Sequence, residues 1–83
     1  MAKTLVGKVE HYFGKVGVAI VDLSDTVKVG DKIAIEGPST MFEQVIDSIQ
    51  VEHKPVQSAK KGDAIGIKVK DKVREKDNVF RVV

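Results

Sequence analysis

Cysteine is absent from the 83 residues, which excludes disulfide staples, thiolate nucleophiles and cysteine-ligated zinc. Aromatic residues make up only 5 % of the chain. Packing must therefore come mainly from valine and isoleucine, whose stiff β-branched side chains suit a pleated, half-buried surface. Long apolar runs are also missing: Val16 to Val21 is interrupted by Gly17 and falls far short of the roughly 20 residues of a spanning helix. The leading Met-Ala-Lys-Thr-Leu-Val-Gly-Lys lacks the apolar stretch of a secretory signal. A cytoplasmic protein with no membrane attachment is expected.

Chemical motifs are equally scarce. No G-x-x-x-x-G-K-[ST] or G-x-G-x-x-G phosphate loop occurs, and Ser24, Ser39, Ser48 and Ser58 lack a G-x-S-x-G setting. The pairs Glu10-His11 and Glu52-His53 offer nitrogen and oxygen donors for zinc, or a histidine base, but nothing in the sequence brings them together. A packing or polar-contact role at the rim of the fold is the simpler reading of both histidines. No catalytic residue, metal or cofactor is expected, and the chain reads as non-enzymatic.

Hydrophobic residues are 42 % of the chain and charged residues 31 %, with a formal net charge of +2. That balance describes one small globular domain over residues 1–83 with a thin core, since chains of this size bury only about 60–65 % of their unfolded surface. Basic residues concentrate near the end, at Lys68, Lys70, Lys72, Arg74 and Lys76 against Asp71 and Glu75. Such an excess permits phosphate contact without demanding it.

The clearest local signal is Gly30-Asp31-Lys32-Ile33-Ala34-Ile35, in which a turn opens a strand with alternate residues buried. It returns as Gly62-Asp63-Ala64-Ile65-Gly66-Ile67. Either an ancestral duplication or a turn that suits any small barrel accounts for the repeat. Asp31 and Asp63 read as turn-makers bonding nearby backbone N–H groups.

Thr4 to Phe13 reads as a first strand, with Leu5, Val9 and Phe13 on one face and Val6, Lys8, Glu10 and Tyr12 on the other. Gly14-Lys15 turns the chain into Val16–Leu23, apolar on both faces and hence central, with a bulge expected at Gly17. Over Ser39 to His53, Phe42, Val45, Ile46 and Ile49 have helical spacing, and Thr40 with Glu43 forms a capping-box pattern. The β-branched Val45, Ile46, Ile49 and Val51 fit equally a strand bent near Asp47-Ser48. Lys54-Pro55 ends the element either way. Ala64–Lys70 and Asn78–Val82 supply the remaining strands.

In order and spacing, several segments resemble the translation-protein β-barrel, the second domain of elongation factor Tu. They are Gly7-Lys8-Val9, Val16-Gly17-Val18-Ala19, Leu23 through Gly37, Val45 to Val51, Ala59 through Ile67, and Val73 through Val79. A closer resemblance, to the C-terminal barrel of the collagenase-like peptidase family and to stand-alone elongation-factor-like proteins, is carried by His11-Tyr12-Phe13, Phe42-Glu43-Gln44 and Ser48 through Val56. The resemblance implies strand rather than helix over Phe42 to His53. It also implies an all-β fold, a single closed antiparallel Greek-key barrel of about six strands. Val9, Ile20, Ile33, Ile35, Ile65, Ile67 and Val79 are then expected to fill its interior. The catalytic part of the collagenase-like family lies upstream of that barrel and has no counterpart here.

The expected function is a non-catalytic binding module contacting transfer RNA or ribosomal RNA in translation or RNA modification. The alternative is a monomeric protein-interaction module that docks on a separate catalytic subunit through an exposed apolar patch around Tyr12, Phe13 and Phe42. The candidate contact residues are Lys8, His11, Tyr12, Lys15, Phe42, His53, Lys54, Lys68, Lys70 and Arg74, with Tyr12 as a stacking platform.

Overall fold

The computed structural model describes residues 3–82. Met1 and Ala2, at the head of the segment read above for a signal, lie outside the described residues, as does Val83. The described residues form ten strands and no helix: β1 (Lys3–Phe13), β2 (Val18–Leu23), β3 (Val27–Lys28), β4 (Lys32–Gly37), β5 (Thr40–Val45), β6 (Ile49–Val51), β7 (Lys54–Val56), β8 (Ser58–Ala59), β9 (Ala64–Lys68) and β10 (Asn78–Val82). All pairings are antiparallel. Eight strands form one sheet in the order β5-β4-β10-β1-β2-β9-β6-β7, and β3 pairs with β8.

Why these segments turn where they do is visible at the Gly-Asp repeat. Gly30 and Gly62 have φ of 98° and 94°, values open to glycine at little steric penalty. Asp31 N donates to Lys28 O at 3.1 Å and Lys28 N donates to Asp31 Oδ2 at 3.0 Å. The second copy repeats this between Lys60 and Asp63, at 3.0 and 3.1 Å. A third copy has no glycine: Asp77 N donates to Arg74 O at 3.2 Å, Arg74 N donates to Asp77 Oδ2 at 2.9 Å, and Lys76 takes φ 74°. These three turns launch β4, β9 and β10; Asp31 and Asp63 are the turn-makers the sequence implies, and Asp77 plays the same part.

The core is made of valine and isoleucine. Val6, Val9, Val21, Val27, Ile33, Ile35, Ile49, Ile65, Val73 and Val79 are all at most 2 % exposed. Of the expected interior residues, Ile20 departs from the pattern. In β2 it is Ala19, Val21 and Leu23 that point inward, leaving Val18 and Ile20 half-buried on the outer face.

Two further departures concern β1. Its register shifts between Leu5 and Gly7 against β10, and between Val9 and His11 against β2. Each bulge flips the side-chain parity. Val6 is therefore buried and Leu5 exposed, while Tyr12 packs against the core and Phe13 faces outward. Gly17, expected at a bulge, instead closes the β1–β2 turn with φ 68° and donates to Phe13 O.

The helical spacing over Ser39 to His53 is overruled. Thr40–Val45 is strand, the chain leaves it at Ile46–Ser48, and Ile49–Val51 resumes. Ile46 uses its N–H on Asp31 O and its C=O on Gly30 N, both 2.9 Å, which pulls the bend into the Gly30 turn. Pro55 does not end the element but sits within the edge strand β7, where its missing N–H faces no partner strand.

The expected closed barrel of about six strands is corrected to ten strands whose backbone ladder does not close: β5 and β7 end the main sheet. Toward the end of β9 the gap is spanned by a side chain. Gln44 on β5 donates from Nε2 to Lys68 O at 2.7 Å and accepts from Lys70 N at 2.9 Å, replacing one rung of backbone pairing.

Candidate docking groove

The outer faces of β1, β2, β9, β6 and β7 can be read directly from their pairing. One cross-strand row runs His11, Ile20, Gly66, Gln50, Pro55, and the next runs Phe13, Val18, Lys68. A third contains Lys8, Asp22 and Ala64. The middle of this face is apolar; exposed apolar side chains also occur away from it, at Leu5, Met41 and Val45, but these do not line the groove it forms. The result is a groove of about 540 Å³ lined by Val18, Ile20, Ala64 and Gly66, walled by Phe13 and Val16, and bounded by Gln50, Glu52 and His53.

One wall is braced from the outer face. The His11 ring meets Phe13 edge-on at 4.4 Å, and His11 Nδ1 lies 3.1 Å from Glu75 Oε2. On the opposite side, β6 and β7 are joined through only Glu52 and His53, because Val51 pairs with Lys54. Both residues have positive φ, 51° and 66°. Two-residue hairpin loops need that geometry to match strand twist, and asparagine or glycine normally supplies it.

The candidate contact residues are dispersed by the fold. His53 borders the groove, and His11 braces Phe13 from outside. Tyr12 and Phe42 pack against the core, so the expected apolar patch keeps Phe13 alone of its three aromatics. Tyr12 is not the exposed stacking platform expected, because the second β1 bulge turns it inward. Lys8 stands opposite Asp22, Lys15 lies in the β1–β2 turn, and Lys54 is exposed on β7. Lys68 and Lys70 share a separate depression with Gln44, Val45, Asp47 and Val69. Arg74 opens the third turn. Val16, Val18, Ile20, Ala64 and Gly66 were missed as site residues. For Val18 and Ile20 the available signal is that β2 is apolar on both faces, which reads as central burial; Ala64 and Gly66, on β9, carry no comparable signal.

Elsewhere on the surface, Lys3 pairs with Glu36, Lys32 with Glu43 and Arg81 with Asp25. The hydrogen bond from Lys3 to the Glu36 carboxylate raises the lysine pKa above its ordinary value.

No family model matches the chain. It is 42 % identical over 79 residues to an uncharacterized protease of Methanocaldococcus jannaschii, a match covering 94 % of this chain and 19 % of that protein. It is likewise 42 % identical over 81 residues to a collagenase of Porphyromonas gingivalis, covering 95 % of this chain and 22 % of the collagenase. The chain thus spans about a fifth of the length of the curated relatives it matches. Among solved structures, it superposes with TM-score 0.91 on the C-terminal domain of a Geobacillus thermoleovorans protein classed with the U32 peptidases, at 24 % identity, covering 96 % of this chain and 93 % of that domain. The selenomethionine variant of that domain gives TM-score 0.87 at 26 % identity, covering 90 % and 95 %.

These relatives support the nearer of the two sequence resemblances, to the collagenase-like barrel. They overturn the expectation of a translation-factor-like, RNA-contacting module, because the similar proteins are a protease, collagenases and a U32 peptidase domain. Two of the basic residues behind that expectation have acids near them, Lys8 across from Asp22 and Lys68 in one depression with Asp47.

Proposed function

We propose that this chain is a non-catalytic accessory module of a collagenase-like peptidase, which docks on the catalytic part and acts through it. The observation that carries the reading is the asymmetry of coverage. At 42 % identity, 94–95 % of this chain corresponds to 19–22 % of the relatives, so it matches one module of a larger machine. The fold agrees in kind: a Val/Ile-filled β-structure of rigid ladders with an apolar groove on its outer face. A concave, mainly apolar groove with a few polar groups at its edge is the usual form of a binding site.

The test is binding in trans. The Porphyromonas gingivalis collagenase, with the segment homologous to this chain deleted, is titrated with the chain in a calorimeter, and the chain alone is assayed on gelatin. Saturable binding with no hydrolysis by the chain alone is expected. Hydrolysis by the chain alone, or no heat of binding, would overturn the reading.

A further inference from the structure

Most glycines of this chain explain themselves. Gly17, Gly30 and Gly62 have positive φ. At Gly7 a Cβ would lie 2.7 Å from Asp22 O, and at Gly37 it would lie 2.0 Å from Asp77 Oδ1. Gly66 is different. It sits in the middle of β9 with no left-handed backbone, and a Cβ there would meet Val18 Cγ1 at 3.5 Å, Ile20 Cδ1 at 3.6 Å and Gln50 O at 3.9 Å. Those are ordinary contacts, so neither backbone conformation nor packing asks for glycine. Glycine inside a strand weakens it and marks a place where another backbone or ligand comes close. Gly66 is also the floor of the groove, between Ile20 and Gln50 in the same cross-strand row.

We infer that the Gly66 notch is the seat of an extended segment from the peptidase's catalytic part. That segment lays its backbone over Gly66, places an apolar side chain against Phe13, Val18 and Ile20, and carries carboxylates on its flanks. The surroundings of the notch choose this chemistry. Lys68 shares the outer face beside Val18, Lys15 adjoins Val16 and Lys54 adjoins His53, all exposed, against two acids, Glu52 on the rim and Asp22 beside Ala64. An apolar floor whose border carries three lysines against two acids suits an apolar anchor with acidic neighbours, and the border charges set salt sensitivity and encounter rate. The inference rests on the accessory-module reading and assigns it a surface.

The experiment is an NMR titration of the isotopically labelled chain with the Porphyromonas gingivalis collagenase lacking its homologous segment. Shift changes should concentrate on Phe13, Val18, Ile20 and Gly66. Gly66→Val should weaken binding about tenfold or more, the order of a well-placed interface residue, with thermal stability unchanged or raised because valine favours strands. Gly66→Ala should weaken it less, and Lys68→Glu should weaken it most at low salt. Binding with shifts on another face, or with Gly66→Val as tight as wild type, would overturn the notch while leaving the module reading intact. No binding at all would overturn both. Concentration-dependent shifts of the same residues in the chain alone would make a second copy the occupant. Groove shifts produced by a denatured-collagen peptide, and not by the truncated collagenase, would make substrate the occupant; either result overturns the proposed segment.

Discussion

At the scale of single residues, the third turn shows how one geometry is reached by two chemistries. Gly30 and Gly62 take left-handed φ freely, whereas Lys76 holds φ 74° because Asp77 fixes the turn from both of its ends. A non-glycine residue there is strained by about 1–2 kcal/mol, partly offset by the entropy glycine would lose on folding. Lys76→Gly should therefore raise stability by up to about 1 kcal/mol in urea melts. A loss would mean the lysine side chain makes a compensating contact. Asp77 is itself 2 % exposed and lies against Gly37. In Gly37→Ala the new methyl would overlap Asp77 Oδ1, forcing apart the turn and the end of β4. A loss of about 1–3 kcal/mol is expected, the usual effect of overpacking, and an unchanged melting curve would contradict the close approach. The repeat at Gly62 was readable in the sequence, but its third copy was not. Lysine in place of glycine hides a turn whose identity lies in the aspartate.

At the scale of elements, strand existence was far more legible than strand parity. Alternation in Lys32–Gly37 and Ala64–Lys68 pointed inward to Ile33, Ile35, Ile65 and Ile67, as found. In β1 the same rule failed because two bulges each added a residue, and nothing local distinguishes Val6 or Glu10 as the extra one. Helical spacing in Ser39–His53 failed for a related reason. Phe42, Ile46 and Ile49 do face the core, but they reach it from a strand, a bend and a second strand. The β6–β7 hairpin keeps two left-handed residues, Glu52 and His53, on the border of the groove. Replacing them with Asn-Gly should stabilise the domain by about 1–2 kcal/mol, since those residues adopt this loop with least strain. If both side chains also meet the docked segment, affinity should fall while stability rises, and measuring the two together separates fold from function. The seam offers a complementary case. Gln44→Leu removes both bonds to Lys68 and Lys70 and leaves their backbone groups to water. A loss of about 1–3 kcal/mol is expected, with faster hydrogen exchange at Lys70 N as the local signature.

At the scale of the whole molecule, stability is set by how few layers there are. The core is one cluster running from Val6 to Val79, with contributions from nearly every strand. Valine and isoleucine, joined by few half-buried aromatics, fill it. The main sheet brings chain-distant strands together, with β10 between β4 and β1, and β9 between β2 and β6. No local segment can bury its face until the others arrive, so loss of one central side chain should be felt cooperatively. Ile35 pairs across to Val79 and Phe42, and Ile67 to Ala19 and Ile49, and both are at most 2 % exposed. Ile35→Ala or Ile67→Ala should lower unfolding free energy by about 2–5 kcal/mol, transfer and cavity terms combined. Ile20→Ala, on the outer face, should lower it less, because Ile20 is only half-buried and leaves no enclosed void. That ordering separates the inside of the fold from its docking face. If Ile20→Ala proved as destabilising as the two core changes, the groove floor would be core, and the notch at Gly66 would have no apolar surface to offer a partner.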